Sequence, residues 1–291
     1  MTHIKVIGVF IIGLLIMVFS QGIGALWEEI LPNFGLGNIL FGLTYISVAY
    51  VLIRLWVRRG LKSTLNNYRI TKVKIDRPVL ILALLLPLCV YTFYFLFIPG
   101  EFFVDLSQSP NAIINQISFT LFVNALVAAI VEEFVLRGVL MGYIESQFNI
   151  QIAIVTTAIF FATIHLLNGV SSAVDVLRLL ISGTLVGVMF GLLTFIFKSV
   201  WASITVHLFW NLFQLISLTT DLSRSEFLQY RMNVHDLWIT GGQYGIETSI
   251  ISIMGYLVMI VLLLGIFFKF NKFNTRKFEK TFDIIGAKTM K

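Results

Sequence analysis

The sequence predicts an all-α membrane protein, a polytopic bundle of about eight transmembrane helices. Of its 291 residues, 58% are hydrophobic and only 12% are charged, and the mean hydropathy is +0.91. Apolar segments of about 20 residues recur along the chain, and each is long enough to cross a hydrocarbon core of about 30 Å. Soluble globular domains do not have this composition, so the sequence excludes a water-soluble protein.

The predicted spans follow one another without a low-complexity linker, which predicts one integral domain over residues 1–291. They lie at 5–26, 36–57, 79–98, 112–136, 152–167, 177–197, 200–218 and 248–270. The first is expected to be a retained anchor, because its apolar run continues past Gly24 and Ala25. The fourth can continue as an interfacial helix, and 200–218 is the weakest span by hydropathy. We expect the polar connection 219–247 to be an extracytoplasmic loop, partly helical, that caps a cavity.

Lys and Arg are concentrated in two segments, which predicts the orientation of the chain. The first contains Arg58, Arg59, Lys62, Arg69, Lys72, Lys74 and Arg77, and the second contains Lys269, Lys272, Arg276, Lys277, Lys280, Lys288 and Lys291. Basic connections stay on the cytoplasmic side of a membrane. With eight spans, both termini of this multi-pass cell-membrane protein are then cytoplasmic.

The connections on the other side are acidic, which makes the predicted orientation consistent. They hold Glu28, Glu29, Glu101 and Asp105, with Arg178, Arg224 and Arg231 as exceptions. The net charge of +6 is therefore read as a topology signal and an attraction to anionic lipids, not as nucleic-acid binding.

Two further features of the spans predict packing rather than chemistry. The lone cysteine, Cys89, excludes an intramolecular disulfide and a cysteine-rich metal cluster, and we expect it to be a small buried residue. Gly183, Gly187 and Gly191 recur at every fourth position of the sixth span. That spacing places the three glycines on one helix face and predicts close approach of a neighbouring helix.

A few polar side chains lie inside predicted spans, where an ionisable group costs several kcal/mol unless it is paired or faces water. They are Glu132, Glu133 and Arg137 in the fourth span, His165 in the fifth, and His207 with Asn211 in the seventh. Each of them is therefore a candidate site residue.

Helix geometry separates Glu132 from the other two residues of the fourth span, Glu133 and Arg137. Glu133 precedes Arg137 by four residues, the favourable order for an ion pair on one helix face. Glu132 points about 100° away from Glu133, so it remains available to accept a proton in a poorly solvated site. A structural charge network between helices explains these three residues equally well.

The histidines add a possible reaction. Phe161 and His165 share one helix face, as do His207 and Asn211. A carboxylate base, a neighbouring histidine, and a His/Asn pair that donates hydrogen bonds to an oxyanion are sufficient for amide hydrolysis by an activated water. No serine or cysteine nucleophile is required.

The same residues form three motifs that resemble a known family. The segments EEFVLR (132–137), FATIH (161–165) and HLFWN (207–211) are similar to the EExxxR, FxxxH and HxxxN motifs of the CAAX protease and bacteriocin-processing (CPBP or Abi) family. The motif-bearing core covers about residues 112–218. The resemblance implies an all-helical bundle with a buried catalytic cavity that opens to the cytosol and admits a peptide.

The resemblance also implies a role for each residue. Glu132 would be the general base on a water with assistance from His165, and His207 with Asn211 would stabilise the oxyanion. Glu133 and Arg137 would organise the first motif, with Phe161 in support. The implied substrate is a small peptide or a lipidated protein, with prenylated C-termini, bacteriocin immunity and peptide maturation as the possible settings. The sequence predicts neither the substrate nor the oligomeric state.

The expected depths of Glu132 and His165 in the membrane raise an objection to this site. A helix that enters the membrane at Asn111 brings Glu132 about 30 Å down, whereas His165 would lie about 20 Å above the cytoplasmic face. The polar residues Asn115, Gln116, Ser118 and Thr120 suggest that the first turns of this helix protrude, which would lift Glu132 toward the bilayer interior.

Other functions stay open at this stage. Glu132, His165 and His207 are a feasible zinc set that leaves one position for water, although HExxH is absent and a mechanism without a metal or other cofactor is favoured. A rhomboid-like serine protease that uses Ser171 and His207 is a weaker interpretation. A non-catalytic scaffold or immunity factor, or a transporter with a proton relay, is the alternative from another class.

Overall fold

Seven helices of the computed structural model are long and apolar enough to cross a membrane, counted over the residues that the structure describes. Those residues are 2–289 without 33, 170, 222, 224 and 225, and side chains are described within 4–269. The helices are α1 Thr2–Ile30, α2 Gly35–Leu55 with a π turn Trp56–Gly60, α3 Arg77–Phe97, α4 Pro110–Gln147, α5 Ile150–Ile164, α6 Ala173–Ile196, α7 Val200–Leu212, α8 Leu237–Thr240 and α9 Ile250–Thr289. The predicted all-α polytopic bundle is confirmed.

Two spans differ in length from their predictions. α4 runs from Pro110 to Gln147, so the span predicted to end near residue 136 does continue as a further helical segment. It contains two π-helical segments, Phe119–Val127 and Phe134–Leu140. α7 has 13 residues, about 20 Å of helix, which is too short for a core of about 30 Å.

The connection between α2 and α3 fills the part of the bundle that the short helix α7 does not span. It includes a 3-10 turn, Leu65–Tyr68, and folds against the first turn of α7. The backbone N–H of Val200 donates to the carbonyl of Arg69 at 3.0 Å, and the indole N–H of Trp201 donates to the carbonyl of Thr71 at 2.8 Å. We call residues 61–76 the basic-end plug.

Polar caps start the helices of the second half of the chain. Side chains of Ser109, Asn149, Ser172 and Ser199 accept hydrogen bonds from backbone N–H groups in the first turns of α4, α5, α6 and α7. In an apolar environment those groups have no water as an alternative partner. The caps therefore set where each helix begins.

The connections at the end of the bundle opposite the plug contain a small sheet, which the sequence did not predict. Its strands are β1 Gly100–Val104, β2 Ser217–Thr219 and β3 Leu228–Met232, in the order β1-β3-β2. β1 pairs antiparallel with β3, and β2 pairs parallel with β3. Two 3-10 turns, Phe213–Leu215 and Gly242–Thr248, lie in the same region.

The glycine pattern of α6 packs as predicted. A Cβ atom added at Gly183 would lie 2.9 Å from the Cβ of Ala162, and one at Gly187 would lie 2.7 Å from the Cα of Ala158. α5 therefore lies in backbone contact with α6. The prediction for Cys89 is wrong, since its side chain is exposed on the surface of α3, where a thiol also fits a lipid-facing position.

Candidate active site

The α4–α5 hairpin places the first two motifs at one depth. Glu132 lies fifteen residues before the end of α4 at Gln147, and His165 lies fifteen residues after the start of α5 at Ile150. At about 1.5 Å per residue, both are about 22 Å from the turn between the helices. The depth objection is thereby resolved, because α4 extends beyond the predicted span and raises Glu132 from the membrane surface.

One cavity of about 640 Å³ collects the candidate residues of all three motifs. Its lining includes Glu132, Phe161, His165, His207 and Asn211. The side chains come from α4, α5 with the following turn His165–Asn168, and α7. Residues of α1, α2, α6, α9 and the turns Phe213–Leu215 and Gly242–Thr248 complete the lining. The volume lies within the range of small-molecule and peptide pockets.

Glu133 and Arg137 form an ion pair behind this lining, as their spacing predicted. The guanidinium Nη1 of Arg137 lies 3.1 Å from Oε1 of Glu133, and both side chains are 0% exposed. The guanidinium also lies 4.6 Å from the ring centre of Phe161 and 5.3 Å from that of Phe190. The ion pair and these cation–π contacts offset part of the cost of burying the arginine charge. Nε of Arg137 and Oε2 of Glu133 have no hydrogen-bond partner among the described residues.

The buried pair also holds His207. Nδ1 of His207 lies 3.3 Å from the same Glu133 oxygen, and its ring stacks on Phe190 with 4.8 Å between the ring centres. Because a carboxylate only accepts hydrogen bonds, Nδ1 carries the proton in this contact. Glu133 and Phe190 thus fix the orientation of the imidazole.

His165 is fixed by its own helix. Its Nδ1 lies 2.7 Å from the carbonyl oxygen of Phe161, one turn earlier. A carbonyl cannot donate, so Nδ1 carries the proton, and Nε2 of the neutral ring keeps its lone pair. His165 therefore offers the cavity a hydrogen-bond acceptor.

Asn211 is oriented by the π-helical part of α4. Its Nδ2 donates to the carbonyl oxygen of Asn124 at 2.8 Å, within the segment Phe119–Val127. A π segment alters the regular i to i−4 ladder and is frequent at functional sites. One amide N–H of Asn211 is held in this way, and the second remains available as a donor.

Glu132 contrasts with its neighbour Glu133. Its side chain is half-buried and lines the cavity. Among the described residues it has neither a hydrogen bond nor an ion pair. A carboxylate in this position is free to bind water.

The zinc set proposed from sequence does not converge in the structure. Glu132, His165 and His207 line the same cavity, but no three His, Cys, Asp or Glu side chains within the described part of the chain lie close enough to hold one metal ion. The rhomboid-like pair is not assembled either, since Ser171 does not line the cavity that contains His207.

Three cavity residues were missed from the sequence. Phe190 supports both His207 and Arg137, Asn124 orients Asn211, and Glu247 accepts from the indole of Trp210 at 3.1 Å. Of the three, only Asn124 could have been identified from the sequence, because it is a polar residue inside an apolar span. Phe190 looks like any other apolar residue, and Glu247 lies in a polar connection.

Comparison with known proteins gives one family match. Residues 114–213 match the family described as Rce1-like, type II CAAX prenyl endopeptidase Rce1-like. No curated protein and no solved structure matches the chain.

The matched residues contain all three motifs that line the cavity or lie directly behind it. The match supports a CAAX-type intramembrane protease in general, and the seven apolar helices agree with a multi-pass membrane protein. The resemblance found in the motifs is thereby confirmed over residues 114–213, which are similar to the Rce1-like type II CAAX prenyl endopeptidases.

Proposed function

We propose that this protein is an intramembrane endopeptidase that hydrolyses a peptide bond with a water activated by Glu132. The observation that carries the proposal is the difference between the two adjacent glutamates. Glu133 is used in a buried ion pair, whereas Glu132 lines the cavity beside His165, His207 and Asn211. A carboxylate that lines the cavity and forms no direct ion pair with the described residues is the group that a general base requires.

The reaction proceeds in two steps. Glu132 takes one proton from a water as the water oxygen bonds to the scissile carbonyl carbon, and Nε2 of His165 accepts a hydrogen bond from the other proton. The tetrahedral intermediate then collapses. The carbon–nitrogen bond breaks, and the proton held by Glu132 passes to the leaving amine, which restores the carboxylate.

His207 and Asn211 stabilise the negative oxygen of the intermediate. Asn211 contributes the N–H that is not bound to Asn124. For His207 to donate from Nε2 it must also carry a proton there, because Nδ1 is already bound to Glu133. The Glu133 carboxylate stabilises that imidazolium, so the buried pair serves catalysis through His207.

The proposal is tested by cleavage of quenched fluorescent peptides by the purified protein. The panel contains prenylated C-terminal peptides and cationic leader-like peptides. We expect Glu132→Gln to reduce cleavage by at least about 10³-fold, since the general base is removed. Glu29→Gln, the same change at an exposed position of α1, is the matched control and should keep full activity.

A chelator separates the glutamate mechanism from a zinc mechanism. We expect activity to be unchanged in the presence of the chelator, whereas loss that zinc restores would favour the metal-dependent version. Equal inertness of wild type and Glu132→Gln on every peptide, with an unchanged cellular phenotype in the variant, would overturn the protease proposal in favour of a scaffold or immunity factor.

A further inference from the structure

A groove of about 330 Å³ lies where the basic-end plug meets the start of α3 and the turn between α6 and α7. It shares no lining residue with the active-site cavity, so it is a separate feature of the molecule. The charged and hydroxyl side chains of its wall are Thr71, Lys72, Lys74, Asp76, Lys198 and Ser199. We call it the lysine groove.

The lysine groove carries a positive charge, because two of its three lysines are unpaired. Nζ of Lys74 lies 3.2 Å from Oδ1 of Asp76. Lys72 and Lys198 form no ion pair with any residue that the structure describes, and both are exposed. The groove therefore holds two ammonium groups that the protein itself does not neutralise, and an anionic ligand would pair with them.

The hydroxyl of Ser199 adds a neutral donor beside the lysines. Its Oγ lies 3.0 Å from Oγ1 of Thr71, and Thr71 has a second acceptor, the carbonyl oxygen of Lys72 at 3.2 Å. When Thr71 donates to that carbonyl, the proton of Ser199 is available to a ligand. The first N–H of α7 is already used, since Val200 donates to the carbonyl of Arg69 at 3.0 Å. The side chains, and not the helix end, supply the attraction for an anion.

Exposed apolar side chains beside the lysine groove favour a lipid over a soluble anion. Val73 and Ile75 alternate with the lysines in the irregular segment that leads into α3, and they are 65% and 49% exposed. Leu80 and Ile81, in the first turns of α3, are exposed as well. At the end of a membrane-spanning helix, such side chains contact hydrocarbon rather than water. The apolar part of the groove wall consists of Val79, Phe197 and Ala202.

We propose that the lysine groove binds the phosphate of an anionic phospholipid, whose acyl chains lie beside the exposed apolar residues that flank it. Lys72 and Lys198 pair with the headgroup charge, and Ser199 donates to a phosphate oxygen. A zwitterionic headgroup is a poorer ligand, because it brings a cation of its own into a groove that is already positive. The site lies outside the active-site cavity and does not depend on the proposed function.

A bound headgroup would join two segments that already contact each other. Lys72 belongs to the basic-end plug, whereas Lys198 belongs to the turn before α7. The indole N–H of Trp201 in α7 donates to the carbonyl of Thr71 in the plug at 2.8 Å. Since α7 carries the third motif of the active site, the lipid stabilises the packing of a helix that the site requires. A ligand that binds only the folded protein raises its unfolding temperature.

Binding is tested on the full-length protein, delipidated in a neutral detergent, from the ligand dependence of its unfolding temperature. The ligands are dioctanoyl phosphatidylglycerol, phosphatidylcholine with the same chains, and inorganic phosphate at equal ionic strength. We expect an apparent Kd about tenfold lower for phosphatidylglycerol than for phosphatidylcholine, and no saturable effect of inorganic phosphate. Native mass spectrometry counts the lipid molecules that remain bound.

Variants of the two unpaired lysines locate the binding. We expect Lys72→Gln/Lys198→Gln to raise the apparent Kd for phosphatidylglycerol at least about tenfold, and Lys72→Arg/Lys198→Arg to retain binding. The control Arg59→Gln/Lys62→Gln removes the same charge at exposed positions outside the groove. Lys62 also matches Lys198 in its left-handed backbone, with φ of 50° and 53°. The control should bind phosphatidylglycerol as the wild type does.

Three outcomes would overturn the proposal. Equal apparent Kd values for phosphatidylglycerol and phosphatidylcholine would show that the wild-type protein does not select the headgroup charge. Equal weakening by the Lys72→Gln/Lys198→Gln variant and its control would place the binding outside the groove. Saturable binding of inorganic phosphate that competes with phosphatidylglycerol would identify a site for a soluble anion instead of a lipid.

Discussion

Glu133 and Arg137 form an ion pair in which both side chains are 0% exposed. Removing one partner would leave the other charge buried and uncompensated, at a cost of about 3–5 kcal/mol. We expect Glu133→Gln to lower the melting temperature in detergent clearly, and Glu132→Gln to leave it nearly unchanged. The double variant Glu133→Gln/Arg137→Met should recover part of the loss, and equal melting temperatures for the two single variants would contradict the structure.

Phe190 is the residue-scale test of how His207 is held. Its ring stacks on the imidazole and contacts the Arg137 guanidinium. We expect Phe190→Leu to reduce kcat by about tenfold with little effect on KM, because the variant keeps apolar volume but loses the stacked ring. Steady-state kinetics measure this split, with Phe195→Leu outside the cavity as the control. A change in KM alone would show that Phe190 contacts the substrate and does not orient His207.

The site could be predicted from sequence where its contacts are local. The pairing of Glu133 with Arg137 and of Phe161 with His165 followed from four-residue spacing within one helix. The contact of His207 with Glu133 joins residues 74 positions apart. It depends on how α4 and α7 cross, which one sequence does not specify.

At the scale of elements, the α5–α6 interface depends on backbone contact through glycines. A methyl group at Gly187 would lie 2.7 Å from the Cα of Ala158, whereas one at Gly8 meets nothing within 4 Å. We expect Gly187→Ala to destabilise the protein by about 1–3 kcal/mol and Gly8→Ala to be neutral or slightly stabilising. Thermal unfolding in detergent measures both, and equal tolerance would contradict the packing.

The elements that escaped prediction are short or irregular. The strands β1, β2 and β3 have three to five residues each, and their apolar side chains do not stand out beside long apolar spans. The continuation of α4 past residue 136 was predicted only as an option, because its last turns are amphipathic and end in Glu145, Ser146 and Gln147. The short α7 was read as a full span because apolar residues of the following 3-10 turn and β2 extend its hydropathy.

For the whole molecule, the predicted orientation rests on basic residues outside the packed core. Arg58, Arg59 and Lys62 are exposed, so neutralising them changes the charge bias with little effect on packing. We expect the triple change to Gln to increase the fraction of inverted molecules. In a Cys89→Ser background, the thiol of Asn66→Cys, at an exposed position, would then be labelled by a membrane-impermeant maleimide in intact cells. Acidic residues contribute little to orientation, so changing Glu28, Glu29 and Glu101 to Gln should have no such effect. Equal results from both triple variants would show that another feature sets the orientation.

The equal arms of the α4–α5 hairpin have an evolutionary consequence. Glu132 and His165 are brought level by fifteen residues of helix on each side of one turn. A single insertion in one arm would shift its residue by about 1.5 Å and rotate it by about 100°. Homologous chains that keep the chemistry should therefore conserve the interval between these two residues, or change it only by paired insertions of equal length. An alignment of active homologues would reveal this as covariation of segment lengths rather than of residue types.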